Sequence, residues 1–277
     1  MRGLRAWLVL TTFFVFTLPL MPLQLLFLRT GSRYARTFPN WYHRQVCRLV
    51  GVRLHIDGGV AREQGVLLIS NHVSWLDITV LSAVAPVSFV AKQEVASWPF
   101  VSWLAKLQRS VFVDRTRRSE VTDKANEILR RLEAGDHVVL FAEGTSSDGN
   151  RVLPFRSALL GAVEMAAKDG GAAELTIQPM AVAYTATQGI PMGRQHRPLA
   201  AWYGDLDFMP HIRVLIEKTA LDATVAFGEA IPADATLTRK AMTGRLEQET
   251  RRMMAETLRG KPLSPGFVTE PDPPAAV

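Results

Sequence analysis

Residues 66–77 read Val66-Leu67-Leu68-Ile69-Ser70-Asn71-His72-Val73-Ser74-Trp75-Leu76-Asp77. The run opens with four apolar residues of strand type, and a polar turn that contains His72 follows them directly. Apolar residues with helical spacing then continue towards Pro86, which predicts a helix after the turn. This order of strand, turn and helix indicates an α/β fold with polar residues at the carboxyl end of a buried strand.

The spacing of His72 and Asp77 lets their side chains meet only if His72 lies outside the helix and Asp77 inside it, because a five-residue step does not share one helical face. The carboxylate would then accept a hydrogen bond from one imidazole nitrogen and leave the other nitrogen free as a base. The same residues also fit a capping box, with Ser74 as the N-cap and Asp77 three positions later. The turn by itself leaves both interpretations open.

Charge is distributed unevenly along the 277 residues. Residues 1–50 contain seven arginines and no acidic residue, which leaves 25 basic and 26 acidic residues for positions 51–277. A nearly neutral body argues against a nucleic-acid-binding surface. The single cysteine, Cys47, permits no internal disulfide, as is typical of a reducing compartment.

The basic segment contains 23 consecutive uncharged residues, 6–28, enough to cross about 30 Å of bilayer hydrocarbon. Pro19 and Pro22 would either break this stretch into two short helices within one leaflet or kink one crossing helix. An amphipathic basic helix is expected after Pro39. We therefore predict that residues 1–50 bind the lipid bilayer, as a membrane helix or helical hairpin. The arginines predict that the rest of the chain lies on the cytoplasmic side of the cell inner membrane.

Residues 51–260 are predicted to form a single α/β domain, in which helices flank a mixed, largely parallel sheet. Apolar runs predict strands at 52–56, 66–70, 87–91, 110–113, 137–141, 175–184 and 223–227. Pro179 is expected to interrupt the sixth of these strands. Positions 185–218 are expected to hold an insertion with a short helix. Residues 261–277 contain five prolines and predict a disordered tail.

Three polar groups follow directly after predicted strands: Asn71-His72, Asp114-Arg115 and Glu143-Gly144-Thr145. If these strands are parallel, all three groups share one edge of the sheet. Arg115 would then recognise a phosphate or carboxylate, and the third group would form a polar cradle. Taken separately, Arg115 is better explained as a solvated charge beside Arg117 and Arg118, and the third group can also be explained as a tight turn with a cap.

Four sequence blocks together resemble the lysophosphatidic acid acyltransferase family of glycerolipid acyltransferases. The blocks are 71–77 with its His-four-residues-Asp pattern, 111–115, 141–145 and the apolar block 177–182. The family's third block usually reads Phe-Pro-Glu-Gly-Thr-Arg, whereas this chain has Ala142 for the proline and Ser146 for the arginine. The missing arginine removes an expected phosphate contact. The variant is similar to a bacterial branch that includes acyltransferases for lyso-ornithine lipids, whose head group carries no phosphate.

This resemblance implies transfer of a fatty acyl group from a thioester, on coenzyme A or acyl carrier protein, to the free hydroxyl of a lysolipid. The first acceptor to consider is 1-acylglycerol-3-phosphate, which would yield phosphatidic acid, and a lyso-ornithine lipid is the alternative. His72 would be the general base and Asp77 its orienting partner, a pairing worth about 10²–10⁴-fold in rate. The substrate-binding residues would be Asn71, Arg115, Glu143, Gly144 and Thr145. No cofactor and no metal ion are expected.

Two other functions share parts of this pattern. A thioesterase would use the same pair with water as the acceptor, and a membrane-bound lipid carrier would keep the fold without the chemistry. The intact spacing of His72 and Asp77 argues against the carrier. Thiol release that depends on a lysolipid would separate the transferase from the thioesterase. A serine hydrolase is disfavoured because no Gly-x-Ser-x-Gly motif is present.

Overall fold

The computed structural model describes residues 2–62, 65–114, 118–169, 175–218, 220–232 and 238–261. Its α-helices are α1 (Arg2–Arg29), α2 (Tyr34–Val50), α3 (Leu76–Val84), α4 (Val101–Leu107), α5 (Arg118–Glu133), α6 (Ser157–Asp169), α7 (Phe208–Lys218) and α8 (Arg239–Leu258). Its strands are β1 (Val52–Asp57), β2 (Val66–Ser70), β3 (Val87–Lys92), β4 (Val111–Val113), β5 (His137–Phe141), β6 (Thr176–Thr187), β7 (Ile190–Pro191), β8 (Leu221–Phe227) and β9 (Ile231–Pro232). Apart from Lys261, the predicted tail lies outside the described residues.

The sheet has the strand order β1-β8-β6-β2-β5-β3-β4, and the short strands β7 and β9 pair with β6. The strands from β6 to β4 are parallel, whereas β1 and β8 are parallel to each other and antiparallel to β6. All five residues of β2 are buried between β5 and β6. A strand covered on both faces needs a continuous apolar sequence, which residues 66–69 provide. The predicted mixed, largely parallel sheet is confirmed.

Helices cover both faces of the sheet, and each face has its own hydrophobic core. One core contains side chains of α5, α6 and α8, among them Ile128, Leu160 and Leu246. The other contains side chains of α2, α3 and α7, among them Val80 and Leu215. Because both faces are covered, ligands can approach the sheet only at the ends of its strands.

Strand β6 continues through Pro179, so the predicted interruption is wrong. The carbonyl of Pro179 accepts a hydrogen bond from the amide of Gly228, 2.9 Å away, and Gly228 lies in the gap between β8 and β9. The nitrogen of Pro179, which carries no hydrogen, therefore points towards the gap between β8 and β9, where the neighbouring strand is interrupted. No ladder hydrogen bond is lost there, which is why the strand tolerates the proline.

Helix α1 is continuous through Pro19 and Pro22, so of the two alternatives for this segment the structure has a single helix. Polar side chains hold it to the rest of the protein on both sides of the prolines. Thr17 Oγ1 lies 2.8 Å from the hydroxyl of Tyr42 on α2. Gln24 Nε2 donates hydrogen bonds to a carbonyl of α2 and, at 2.9 Å, to a carbonyl of α4.

Helix α2 begins at Tyr34 and contains Pro39, whereas the sequence predicts a start after this proline. Pro39 has no amide hydrogen to donate to the carbonyl of Ala35 one turn earlier. That carbonyl instead accepts a hydrogen bond from Gln24 Nε2 at 3.0 Å. Helix α1 thus satisfies the backbone group that the proline leaves without a partner, which lets α2 continue.

Within the described residues, α1 contains the single stretch that is long and apolar enough to cross a membrane. It contacts the body of the protein near both ends, since Ala6 and Val9 pack against Ile216 of α7 while Gln24 reaches α4. The side chains on its outer face are between 51% and 68% exposed: Leu4, Trp7, Leu8, Val15, Leu18 and Leu26. The helix therefore lies along the body with an apolar face pointing outwards.

Candidate active site

His72 lies in the loop between β2 and α3, and Asp77 lies in the first turn of α3. His72 Nδ1 is 2.8 Å from Asp77 Oδ2, which is the arrangement that their spacing allowed. A carboxylate only accepts hydrogen bonds, so Nδ1 carries the proton and Nε2 of the neutral imidazole is the basic nitrogen. The His72 side chain is 20% exposed, whereas that of Asp77 is fully buried.

The carboxylate of Asp77 binds the loop as well as the imidazole. Asp77 Oδ2 also accepts hydrogen bonds from the backbone amides of Val73, at 2.7 Å, and Ser74, at 2.9 Å. The Ser74 hydroxyl has no hydrogen-bond partner among the described residues. The capping interaction and the contact with His72 therefore coexist, but Asp77 alone supplies the cap.

Asn71 attaches the same loop to strand β6. Its Nδ2 donates to the carbonyl of Val182 at 2.9 Å, and its Oδ1 accepts from the amide of Val182 at 2.8 Å. The side chain is fully buried, and both of its polar atoms are used in this way. These contacts give Asn71 a positioning role beside His72.

Glu143 connects the third sequence block to the first. Its Oε1 accepts a hydrogen bond from the backbone amide of His72 at 3.0 Å, and its Oε2 has no hydrogen-bond partner among the described residues. Burial raises the pKa of Glu143 from its ordinary 4.5 to about 8. The side chain is therefore mostly protonated at neutral pH. Its hydrogen bond with the His72 amide attaches the His72 loop to the turn after β5.

The turn after Glu143 closes over the His72 loop. Gly144 has φ +74°, a conformation that glycine adopts without steric cost, and its amide donates to the carbonyl of Phe141. Thr145 is exposed, and the amide of Ser147 donates to the carbonyl of His72 at 2.8 Å. The predicted cradle thus lies directly beside His72. Arg115 lies outside the described residues, which reach Asp114 after β4.

Three residues near His72 were assigned no role in the site from the sequence. Phe141, the last residue of β5, stacks on the imidazole with ring centroids 4.1 Å apart. The Tyr184 hydroxyl on β6 donates to Asp77 Oδ1 at 2.7 Å. The amide of Trp202 donates to the carbonyl of Val73 at 2.9 Å. An aromatic residue in an apolar strand ordinarily indicates core packing, so the position of Phe141 at the start of block 141–145 was the one available signal.

Residues from the 185–218 insertion also reach the loop. Ser146 occupies the family's arginine position. Its hydroxyl donates a hydrogen bond to the carbonyl of Trp202 in the insertion. Trp75 Nε1 donates to His211 Nδ1 at 3.0 Å, and burial lowers the pKa of His211. The insertion therefore forms one wall of the site.

The described residues contain no group of three or more His, Cys, Asp or Glu side chains placed to hold a metal ion. What they assemble is an oriented imidazole at the end of the central strand, with a buried carboxylate behind it and an aromatic ring on one face. Such an arrangement can accept a proton from a hydroxyl at Nε2 and stabilise the resulting imidazolium.

Comparison with known proteins identifies the family of the chain. The family model described as Acyltransferase matches residues 51–183. A lyso-ornithine lipid O-acyltransferase of Brucella abortus is 45% identical over 260 residues, which cover 94% of this chain and 97% of that protein. The chain belongs to the acyltransferase family. The family predicted from the four sequence blocks is thereby confirmed.

Other relatives of this acyltransferase have two kinds of name. A lyso-ornithine lipid O-acyltransferase of Rhizobium meliloti is 44% identical, over 90% of this chain and 85% of that protein. A 1-acyl-sn-glycerol-3-phosphate acyltransferase of Neisseria meningitidis is 32% identical, over 69% of this chain and 70% of that protein. The crystal structure of the 1-acyl-sn-glycerophosphate (LPA) acyltransferase PlsC from Thermotoga maritima matches with a TM-score of 0.63, covering 93% of this chain and 98% of that one. At 18% sequence identity, this likeness shows the fold.

Proposed function

We propose that this acyltransferase moves a fatty acyl group from a thioester to the free hydroxyl of a lyso-ornithine lipid. The observation that carries the chemistry is the 2.8 Å contact between His72 Nδ1 and the buried Asp77 carboxylate. The acceptor is proposed from the relatives at 45% and 44% identity, both named lyso-ornithine lipid O-acyltransferases. The sequence motifs put 1-acylglycerol-3-phosphate first and a lyso-ornithine lipid second, and the names of these relatives reverse that order.

In the proposed reaction, His72 Nε2 takes the proton of the acceptor hydroxyl while that oxygen attacks the thioester carbonyl. The new carbon–oxygen bond gives a tetrahedral oxyanion, which collapses by breaking the carbon–sulfur bond. The departing thiolate receives the proton from the imidazolium, so the products are an ester and a free thiol. Atoms and charge balance without a cofactor, with a thioester of coenzyme A or acyl carrier protein as the donor.

The environment of His72 suits the charge that develops in this step. The imidazole becomes a cation in the transition state, and Asp77 stabilises that cation through Nδ1. The three hydrogen bonds to Asp77 Oδ2 hold the carboxylate in a single orientation. Because Asp77 is fully buried, this contact is not weakened by solvent.

The choice of head group is supported by Ser146. An arginine at this position would offer a phosphate a fixed positive charge, whereas the Ser146 hydroxyl is donated to the Trp202 carbonyl. We propose that Arg115 and the exposed Thr145 contact the acceptor, and that Asn71, Glu143 and Gly144 hold the loop that carries His72. The second candidate acceptor is 1-acylglycerol-3-phosphate, which the names of the Neisseria relatives favour.

We propose that α1 binds the protein to the bilayer surface, where the hydroxyl of a lysolipid lies at head-group depth. The support is its outward apolar face, since exposed apolar surface of this extent is typical of membrane or protein contact sites. Contacts near both ends of α1 with the body favour a helix that lies within one leaflet. The flanking arginines favour the cytoplasmic face of the inner membrane.

The test combines membranes that contain the full-length protein with an acyl thioester and one of three acceptors. The acceptors are a lyso-ornithine lipid, 1-acylglycerol-3-phosphate and water, and both thiol release and lipid product are measured. We expect release to require the lyso-ornithine lipid. Preference for the phosphate acceptor would support the second candidate, and release with water alone would identify a thioesterase.

The His72→Ala variant tests the proposed base. We expect it to lower acceptor-dependent thiol release by about 10²–10⁴-fold while the protein stays in the membrane fraction. His55→Ala is the matched control, because His55 lies on the edge strand β1 and its imidazole contacts Asp222. Full activity of His72→Ala would refute the mechanism.

A further inference from the structure

The carboxylate of Asp77 receives its hydrogen bonds from two different parts of the chain. Its Oδ2 accepts three from the loop that contains His72. Its Oδ1 accepts one from the hydroxyl of Tyr184, which lies 107 residues later in the sequence, at 2.7 Å. The loop can therefore orient one oxygen, while the orientation of the other depends on strand β6.

Tyr184 is placed to donate this hydrogen bond reliably. Its side chain is buried, and its hydroxyl faces a carboxylate that is itself fully buried. Burial and the negative charge of Asp77 keep the pKa of the Tyr184 hydroxyl well above its usual range, so the group remains a donor. Without it, Oδ1 would be a charged oxygen in the protein interior with no donor, which is costly.

The strand that carries Tyr184 also holds the other side of the His72 loop. The backbone of Val182 binds both polar atoms of Asn71, and Tyr184 is the next residue on the same face of β6. The pairing of β6 with β8 shifts register between Tyr184 and Ala186, and such a bulge redirects the side chains around it. Strand β6 is thus a rigid support from which two side-chain contacts fix the loop.

We infer that Tyr184 is a positioning residue for the acyl transfer reaction, acting through Asp77 on the orientation and basicity of His72. This inference rests on the proposed role of His72 as the base. The hydroxyl of Tyr184 holds the carboxylate so that Oδ2 faces Nδ1. Its hydrogen bond also stabilises the negative charge of Asp77, so the carboxylate holds the proton that it shares with Nδ1 less tightly. Tyr184 does not contact the substrate in this scheme, so its effect falls on kcat and the pH profile, with KM unchanged.

The test compares the full-length protein with its Tyr184→Phe variant in detergent micelles. The substitution keeps the ring and removes only the hydroxyl. We expect kcat to fall about tenfold with unchanged KM, as befits the loss of one hydrogen bond to a charged group. The acid limb of the pH–kcat profile should move to higher pH, because a carboxylate that has lost a donor holds the shared proton more tightly.

Other titratable groups around the pair are the same in both proteins. Among the described residues they include Glu143 in the turn after β5, Cys47 on α2 and Arg251 on α8. Tyr42→Phe is the matched control, since it removes another buried tyrosine hydroxyl, 2.8 Å from Thr17 Oγ1 and away from the site. We expect the pH profile of this control to equal that of the unmodified protein.

A second readout needs no substrate and so separates this inference from the proposed function. In protein labelled at histidine nitrogens, the hydrogen-bonded Nδ1 proton of His72 should give a downfield NMR signal that is absent from His72→Gln. We expect Tyr184→Phe to move that signal further downfield, because the carboxylate then holds the shared proton more tightly. A fall in kcat with unaltered pH profile and NMR signal would mean that Tyr184 acts only through packing, and no change in any measurement would also overturn the inference. If the unmodified protein acylates no lysolipid, the proposed function fails while the NMR comparison still decides the role of Tyr184.

Discussion

The imidazole of His72 stacks on the ring of Phe141, with centroids 4.1 Å apart and planes 21° apart. On the other side of Phe141 lies Phe89, whose ring is 6.1 Å away and inclined by 11°. His72, the proposed base, is thus the outer member of a stack of three rings that reaches into the core. An aromatic face attracts a cation more than a neutral ring, so this contact strengthens when the imidazolium forms.

We expect Phe141→Leu to lower kcat about 2- to 30-fold, which corresponds to the loss of a cation–π contact of about 0.5–2 kcal/mol. Steady-state kinetics at saturating acceptor would measure it. Phe89→Leu is the matched control, because it removes a stacked ring from the same core without touching His72. An equal loss of kcat in both variants would show that the effect comes from core packing.

The residue at the family's arginine position should control the choice of head group. Ser146→Arg adds a positive charge and breaks the hydrogen bond to the Trp202 carbonyl, whereas Ser146→Ala only breaks it. We expect Ser146→Arg to raise kcat/KM for 1-acylglycerol-3-phosphate relative to a lyso-ornithine lipid by about 10- to 100-fold, as for one charge-assisted contact. Ser146→Ala should leave this ratio near that of the unmodified protein. A similar ratio for all three proteins would remove Ser146 from head-group selection.

The raised pKa of Glu143 predicts how stability depends on pH. Between its ordinary value of 4.5 and its folded value of about 8, the folded protein binds a proton that the unfolded chain has released. The stability that Glu143 contributes is therefore fully present below about pH 4.5 and is lost as the pH rises through about 8. In Glu143→Gln the side chain is neutral at every pH, so this loss is absent.

We expect the free energy of unfolding of Glu143→Gln, relative to the unmodified protein, to rise between pH 5 and pH 8 by up to a few kcal/mol, at about 1.4 kcal/mol per pKa unit. Thermal or denaturant unfolding in detergent at several pH values would measure the difference. Glu229→Gln is the control, because the Glu229 side chain is exposed. A constant difference across this range would contradict the assignment of a protonated Glu143.

The outer face of α1 should control binding to lipid. We expect Val15→Glu, at a position that is 68% exposed, to weaken binding to anionic lipid vesicles about tenfold or more, since a charge within hydrocarbon is costly. Met165→Glu on α6 is the control, because this apolar side chain is equally accessible at 64% but lies on a helix that packs against α5 and α8. Vesicle sedimentation would compare the two, and equal binding by both would argue against α1 as the anchor.

The elements predicted correctly are those that short stretches of sequence specify. Strands β2 and β5 follow from continuous apolar runs. The predictions at prolines failed because their outcome depends on distant partners. Gln24 makes Pro39 tolerable in α2, and Gly228 does the same for Pro179 in β6.

The amino-acid sequence by itself determined that His72 lies in the turn after a buried strand and that Asp77 lies at the start of the following helix, because both depend on local apolar patterns and on turn chemistry. It also placed Glu143 at the end of a strand that could lie beside the first. Only the tertiary structure decided which aromatic residues surround the pair. Phe141 and Tyr184 lie on β5 and β6, the strands on the two sides of β2. The order of strands in a sheet depends on contacts between segments that are far apart in the sequence, so a short sequence motif does not predict it.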